Sequence, residues 1–398
     1  MRLRLKQQWL SNPRLDILAG ITTVLALIPD SLAFAFIAGV NPMVSIYSTI
    51  CILLLISFFG GRPGMVSSSA GSMAVLMTAL VAEQGLEYLF AATLLTGVIQ
   101  FLMGVFKMGR LMRFVPHSVV TGFVNSLAIL IFLSQLRYFE GQPWLMYAMV
   151  AVTVAIIYAL PRWFKAVPSP LVAIVLMSAA YVLVPGDPFQ TVGDLATIQA
   201  TLPIPHWPDI PLNLDTLWKI LPTAISLAIV GYSETLLTQT MIDDLTGTKT
   251  DKDRELRGQG IANAATGLMG GMAGCALVAE SVINVKNGGT TRLSTLVAGV
   301  ALLILIFALG DVVSAIPIAA LVGVMVYVCV EIFDWKSFRN FRRVPPADFA
   351  TMALTVAIVV ATHNLAIGVL AGVAISAVLR FSTRSKLPAA SKAAELDS

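Results

Sequence analysis

Charged side chains are scarce in this sequence, and cysteines are few. Only 12% of the 398 residues are Asp, Glu, Lys or Arg, whereas 57% are hydrophobic. A soluble domain keeps about a quarter of its residues charged, so this chain has too little polar surface for a water-soluble globule. Its three cysteines, Cys51, Cys275 and Cys329, all lie in apolar runs, which argues against a disulfide framework or a zinc site. These shortages predict an all-α protein that crosses a lipid bilayer many times.

Motifs of enzyme chemistry are also missing. The sequence contains no phosphate-binding Gly-rich loop, no H-E-x-x-H and no G-x-S-x-G, so we expect neither an enzyme with catalytic residues nor a cofactor. The formal net charge of +4 predicts no nucleic-acid partner, because the basic residues fit a membrane topology. The basic first residues precede an apolar run without a small-residue cleavage site, which indicates a first span rather than a cleavable signal.

Fourteen apolar stretches, separated by glycine, proline and charged residues, are the predicted membrane segments. A span needs about 20 residues, so the third and tenth stretches are too short to cross alone and predict half-helices. The stretches are 16–39, 43–60, 70–83, 87–106, 116–138, 145–163, 168–185, 216–242, 257–273, 276–286, 293–311, 315–333, 346–363 and 364–381.

Basic residues alternate with these segments in a way that predicts the topology. If every segment reverses the side, nearly all Lys and Arg fall on the side of the N-terminus, which the positive-inside rule makes cytoplasmic. We therefore expect a multi-pass protein of a bacterial inner membrane with both termini in the cytoplasm. The predicted parts are a cytoplasmic segment 1–15, a first repeat of seven helices 16–186, an external loop 187–215, a second repeat 216–381 and a cytoplasmic tail 382–398. An odd number of segments per half makes the two repeats inverted, as in many transporters.

Small residues precede both predicted half-helices. The stretches are 67–72 (Ser-Ser-Ser-Ala-Gly-Ser) and 270–276 (Gly-Gly-Met-Ala-Gly-Cys-Ala). A helix start offers free N–H groups and a partial positive charge, and inversion should bring the two starts together, which favours an anion site. Close helix packing is the alternative for either stretch alone. The predicted ligands at these starts are Ser69, Ala70, Gly71, Cys275, Ala276, Leu277 and Val278.

Four carboxylates lie in apolar segments, where an unpaired charge is costly and therefore suggests function. Asp30 follows Pro29, which is predicted to break the first helix at mid-span. Glu234 lies one helical turn from Thr238, a pair that could bind a cation or relay a proton. Glu280 is predicted close to the anion site, whereas Glu331 lies at a helix end. A structural hydrogen bond is the alternative role for each. Neighbouring carboxylates cannot all ionise cheaply, which favours coupling to protons.

The residues that carry these features resemble the SulP family of anion transporters, also called sulfate permeases or solute-carrier family 26. The similarity extends over essentially the whole chain and is most specific in the stretch Glu-Leu-Arg-Gly-Gln-Gly-Ile-Ala-Asn at 255–263. The matching segments are 18–20, 27–39, 60–64, 69–75, 234–238, 244–263 and 284–294.

This resemblance implies a nucleobase-permease-like fold, with fourteen helices in two inverted repeats and with core and gate domains. It implies that Asp30, Phe34, Met73, Ala279 and Glu280 occupy the anion site. It also implies a homodimer. The cytoplasmic STAS domain of the family is expected to be absent from this chain.

The coupling ion is less clearly indicated by the resemblance. Glu234 and Thr238 match sodium-binding positions of cyanobacterial bicarbonate transporters, but Val278 stands where those proteins have a threonine. Acidic residues at both 30 and 280 depart from the family pattern and favour proton coupling or a distinct substrate over plain chloride–anion exchange. The predicted coupling residues, for a proton or a cation, are Asp30, Glu234, Thr238 and Glu280. No other metal site is expected.

We therefore predict a secondary active transporter that carries sulfate, bicarbonate or a dicarboxylate by proton-coupled symport with an elevator-type movement. A nucleobase–proton symporter of the related fold is one alternative. An anion channel or a voltage-responsive membrane protein is another.

Overall fold

A computed structural model describes residues 8–109, 116–162, 169–183, 190–195, 204–339, 345–362, 367–368 and 371–378. Thirteen main helices and two short strands lie in this part of the chain. The helices are α1 (Pro13–Ala38), α2 (Pro42–Phe59), α3 (Gly71–Gln84), α4 (Leu86–Val105), α5 (His117–Gln135), α6 (Trp144–Ala159), α7 (Ser169–Val182), α8 (Leu214–Thr246), α9 (Lys252–Leu268), α10 (Val278–Lys286), α11 (Arg292–Ser314), α12 (Ile318–Ile332) and α13 (Pro346–Thr362). The strands are β1 (Ser67–Ser69) and β2 (Gly274–Ala276).

These helices correspond one to one to the first thirteen predicted segments. Six helical stretches of the described chain are long and apolar enough to cross a membrane, among them α1, α2, α4 and α8. The predicted half-helices are short, since α3 has 14 residues and α10 has 9. Residues 371–378 of the fourteenth segment are helical, and the rest of that segment lies largely outside the described residues. The structure confirms the all-α membrane fold.

The helix ends follow from local chemistry. Asn41 caps α2 by accepting a hydrogen bond from the Met43 N–H at 2.9 Å, and Asn213 caps α8 in the same way at 2.8 Å. Such side chains satisfy N–H groups that have no partner within the helix. Helix α8 ends at Gly247, whose φ of 63° is the left-handed conformation that glycine adopts without strain. Its 33 residues therefore continue past the predicted end at 242.

The prediction that Pro29 breaks the first helix was wrong. Helix α1 runs without interruption from Pro13 to Ala38, with Pro29 inside it. A proline removes one backbone N–H and usually bends a helix, but the hydrogen bonds on either side of it can persist. Buried neighbours hold the segment in place, since Leu27 and Leu32 are fully buried. The helix therefore presents Asp30 and Phe34 from regular helical backbone.

The chain divides into two compact units. One comprises Met1–Met112 and Ile131–Cys329, and the other comprises Arg113–Leu130 and Val330–Ser398. In the second unit, the Asn125 side chain accepts a hydrogen bond from the Asp334 N–H at 2.7 Å and donates to the Ser337 hydroxyl at 3.1 Å. All residues predicted for the anion and coupling sites lie in the first unit.

Candidate functional site

The two short strands bring the two half-helices together. Strands β1 and β2 pair antiparallel, with Ser68 opposite Cys275. Each strand leads directly into a half-helix, since α3 begins at Gly71 and α10 begins at Val278. The Leu277 N–H, at the start of α10, donates to the carbonyl of Val66 at 2.9 Å. The two helix starts therefore lie beside one antiparallel ribbon, which places two amide-rich helix ends close together.

Two predicted anion-site carboxyl groups meet at the start of α10. The side chains of Asp30 on α1 and Glu280 in the first turn of α10 lie close to each other. Glu280 is buried and Asp30 is half-buried. Two ionised carboxylates at close range repel each other. The structure therefore brings two of the predicted site residues together.

Phe34 packs against the start of α3. A Cβ atom added to Gly71 would lie 2.9 Å from the Phe34 ring, so only glycine fits at this position. The next predicted ligand, Met73, is fully buried and contacts Gly231 of α8. The structure thus places Phe34, Gly71 and Met73 around one helix start.

Glu234 binds both half-helix segments. Its Oε2 accepts a hydrogen bond from the Ser72 hydroxyl at 2.6 Å, in the first turn of α3. The same oxygen accepts from the Cys275 thiol of β2 at 2.7 Å. Glu234 therefore joins the first and second repeats through one carboxylate. The thiol of Cys275, which we predicted as an anion ligand, is directed to Glu234.

Thr238 also binds the second strand. Its hydroxyl donates to the carbonyl oxygen of Ala276 at 3.3 Å, while the Ala276 N–H donates to the Thr235 hydroxyl at 3.3 Å. The oxygens of Glu234 and Thr238 thus contact protein donors and acceptors. In the part of the chain that the structure describes, no group of three His, Cys, Asp or Glu residues could hold a metal ion.

The remaining predicted ligands differ in accessibility. The Ser69 side chain does not face a helix start, because its hydroxyl shares hydrogen bonds with those of Ser45 (2.7 Å) and Thr49 (3.0 Å) on α2. Ala70 is buried at the N-terminal end of α3. Val278 and Ala279, by contrast, are exposed, and Leu277 is half-buried. The start of α10 is therefore the accessible part of the site.

Sequence reasoning missed the residues that hold β2 in place. Asn263 of α9 accepts a hydrogen bond from the Gly274 N–H and donates to the Gly274 carbonyl, both at 2.9 Å. Gln259 donates to the same carbonyl at 2.9 Å, and Gln100 accepts from Asn263 at 2.7 Å. A signal was present, because amide side chains four residues apart on an otherwise membrane-embedded helix need buried partners.

The chain was compared with known proteins and solved structures. The sulfate permease family matches residues 14–157 and 143–355. A relative from Bacillus subtilis, YbaR, which is provisionally named a sulfate transporter, is 54% identical over 98% of this chain and 81% of its own length. The bicarbonate transporter BicA of Picosynechococcus is 30% identical over 94% of this chain and 71% of its own.

Solved structures show the same fold. The transmembrane domain of a cyanobacterial BicA superposes with a TM-score of 0.80 at 27% identity, covering 92% of this chain and 98% of that domain. The murine anion transporter Slc26a9 in its inward-facing state gives a TM-score of 0.80 at 18% identity, covering 93% of this chain and 68% of that one. The family consists of membrane transporters rather than enzymes. This chain belongs to the sulfate permease family and is a multi-pass transporter of small anions.

Proposed function

We propose that this protein carries sulfate, bicarbonate or a small dicarboxylate together with protons. The observation that carries the proposal is the close approach of the carboxyl groups of Asp30 and Glu280 at the start of α10. The names of relatives that transport sulfate or bicarbonate support the choice of substrate class.

Proton coupling follows from electrostatics at the start of α10. An anion near the helix start gains from its N–H groups and its partial positive charge, but two ionised carboxylates beside it would repel it. A proton on the pair would remove one of these charges, and a second proton would remove the other. Anion binding and protonation therefore favour each other, which is the thermodynamic basis of symport.

An elevator-type movement is part of the same proposal. Strands β1 and β2 and the side chain of Glu234 tie both half-helices together, so the site can move as one body. We propose a bacterial inner membrane as the location, a cytoplasmic position for both termini and a homodimer as the assembly. Sodium at Glu234 and Thr238 is the alternative coupling ion.

A panel of labelled anions in proteoliposomes tests the proposal. We expect saturable uptake of sulfate or bicarbonate that does not need sodium. Uptake should rise when the outside of the vesicles is made acid and the inside alkaline, because protons then enter together with the anion. Uptake of nucleobases instead would indicate the related symporters, and non-saturating flux would indicate a channel.

Glu280→Gln and Asp30→Asn should each remove the pH-gradient stimulation while the protein still inserts. Full stimulation in both variants would refute the role of the pair.

A further inference from the structure

Four buried charged side chains lie outside the anion site, around the loop that leads into β1. We call residues 60–66 the 60–66 loop. Arg62 belongs to this loop, Asp243 to α8, Glu255 to α9 and Arg292 to α11, and each is at most 9% exposed. Buried charges of both signs persist only when they are paired or hydrogen-bonded. Their contacts show which backbone segments they bind.

Glu255 holds the backbone of the 60–66 loop. Its Oε2 accepts hydrogen bonds from the N–H groups of Gly61 at 2.6 Å and Arg62 at 2.8 Å. Its Oε1 is buried and has no hydrogen-bond partner among the described residues. The loop lies directly on α9, because a Cβ atom added to Gly258 would lie 2.8 Å from Gly60 Cα. One carboxylate therefore fixes the loop at close range.

The other charges tie the same loop to two more helices. The Arg62 Nε lies 3.1 Å from Asp243 Oδ1, and its Nη2 donates to the Thr246 hydroxyl at 2.8 Å. Arg292 donates to the carbonyl oxygen of Gly60 at 2.6 Å. The loop belongs to the first repeat, whereas α8, α9 and α11 belong to the second.

Charged groups of both signs surround Glu255. Arg62 and Asp243 lie on the loop and on α8, Arg292 approaches from α11, and Arg254 precedes Glu255 on α9. The sequences of α2 and α4 add no charged side chain except Glu87, at the far start of α4.

Glu255 lies in the charged first turn of α9, before the predicted span 257–273. Burial raises the pKa of Glu255 to about 7, against the lowering effect of the loop N–H groups and of Arg292 and Arg254. Its carboxyl group therefore changes charge around neutral pH, which is close to the pH of the cytoplasm.

We propose that Glu255 is a positioning residue that adjusts the affinity of the anion site to the pH on the side of the basic loops. The proposal rests on the transport function proposed above. The charged carboxylate holds the 60–66 loop, which continues into β1 and the start of α3. Hydrogen bonds to a charged acceptor are about twice as strong as those to a neutral one. A proton on Glu255 therefore loosens the loop, leaves β1 less firmly placed and weakens anion binding.

The chemical consequence is feedback on uptake. Proton-coupled transport delivers protons to the side on which Glu255 lies. Protonation of Glu255 there lowers the affinity for the next anion, so that transport slows before that side becomes strongly acidic.

Exchange of labelled sulfate, or of labelled bicarbonate if sulfate is not carried, tests the proposal at equal pH on both sides of proteoliposomes. We expect the wild-type KM to be about five- to tenfold below that of Glu255→Gln at pH 8 and close to it at pH 6, because the ionised fraction of Glu255 falls from about nine-tenths to about one-tenth. Comparing the two proteins at each pH cancels the effect of Asp30 and Glu280, which both contain, and a KM ratio that does not change with pH would overturn the proposal. Exchange needs no pH gradient. If gradient-driven uptake is absent while the KM profile of exchange is as expected, the result counts against proton coupling and not against the role of Glu255.

The matched control is Asp253→Asn. Asp253 lies on the same turn of α9 and accepts the Gly109 N–H at 3.0 Å, away from the 60–66 loop. This variant should keep the wild-type KM profile.

A second measurement covers variants that do not transport. Amide hydrogen exchange of the peptide 60–66, corrected for the intrinsic effect of pH, should show loss of protection below pH 7 in wild-type protein and at all pH values in Glu255→Gln. Glu255→Asp should retain a pH-dependent profile with a shifted midpoint. A flat wild-type profile, or a wild-type profile in Glu255→Gln, would overturn the proposal.

Discussion

At the scale of single residues, Glu234 is the side chain that both half-helix segments share. Ser72 and Cys275 donate to the same carboxylate oxygen. A buried carboxylate is stable only when enough donors replace water. The identity of these two donors should therefore matter more than their size.

Replacing the thiol tests this view. Cys275→Ala removes one donor from Glu234 and should lower the free energy of unfolding by about 1 kcal/mol, with reduced transport. Cys275→Ser keeps a donor at nearly the same position and should behave like the wild type. Thermal unfolding in detergent and uptake in proteoliposomes measure the two effects. Equal stability of the Ala and Ser variants would show that the hydrogen bond contributes nothing.

A glycine of β2 allows the strands to pair. A Cβ atom at Gly274 would lie against the carbonyl oxygen of Ser68 in β1. Gly274→Ala should therefore separate the strands and abolish uptake. Gly141→Ala is the control, because Gly141 has a φ of 70° and nothing within 4 Å of its added Cβ. This control tests the effect of a left-handed backbone conformation alone. It should lower the free energy of unfolding by about 1 kcal/mol without loss of uptake.

At the scale of helices and loops, most of the fold was readable in the sequence. Apolar stretches located α1 to α13 to within a few residues, because hydrocarbon thickness fixes the length of a span. The error at Pro29 arose because proline rules describe isolated helices, whereas packing holds α1 together. The register of β1 and β2 was not predictable, since Ser67–Ser69 and Gly274–Ala276 have no alternating apolar pattern.

Arg292 binds the end of α2 to the start of α11. It donates to the carbonyl oxygens of Ser57 at 2.8 Å and Gly60 at 2.6 Å. Both carbonyls lie at the end of α2, where no helical N–H can reach them. The side chain therefore acts as a cap that one repeat supplies to the other.

Removing this cap should destabilise the protein. We expect Arg292→Met to lower the free energy of unfolding by about 2–3 kcal/mol, since it leaves buried carbonyls without donors. Arg292→Lys should lose less, although it lacks the planar fork of arginine. Lys219→Met is the control, because Lys219 and Asp215 form an exposed ion pair at 2.8 Å, and loss of such a surface pair should leave stability nearly unchanged. Similar losses in the Met variants at 292 and 219 would contradict this role.

At the scale of the whole molecule, the elevator proposal requires both half-helices to move together. Ser67 and Ala276 are direct partners in the two strands, and the Cβ atoms of such partners lie about 4.5–5.5 Å apart. Joining them restrains motion of one half-helix against the other but leaves motion of both as a unit.

A cross-link separates these motions. In a Cys275→Ser background, Ser67→Cys combined with Ala276→Cys should react with a short bifunctional thiol reagent. We expect the cross-linked protein to retain substantial uptake, measured before and after cleavage of the link. Complete, reversible block would indicate that β1 and β2 must separate during transport.

The sequence also predicted that the two helix starts lie together, but not how the carboxyl groups beside them make their contacts. Matching positions in two inverted halves predicted both helix starts, because inversion of an odd number of spans follows from charge alternation. The contact between Asp30 and Glu280, and the union of Ser72 and Cys275 on Glu234, depend on side-chain directions in three dimensions. Spacing along single helices does not contain that information.

The pairing of β1 with β2 has a consequence for biosynthesis. When residues 67–69 leave the ribosome and enter the membrane, residues 274–276, their partners, have not yet been made. Until then the backbone groups of β1 have no strand to bind, and hydrocarbon offers them no water. The first half must therefore wait near the insertion machinery in an unfinished state, and a nascent chain arrested before residue 274 should remain sensitive to membrane proteases.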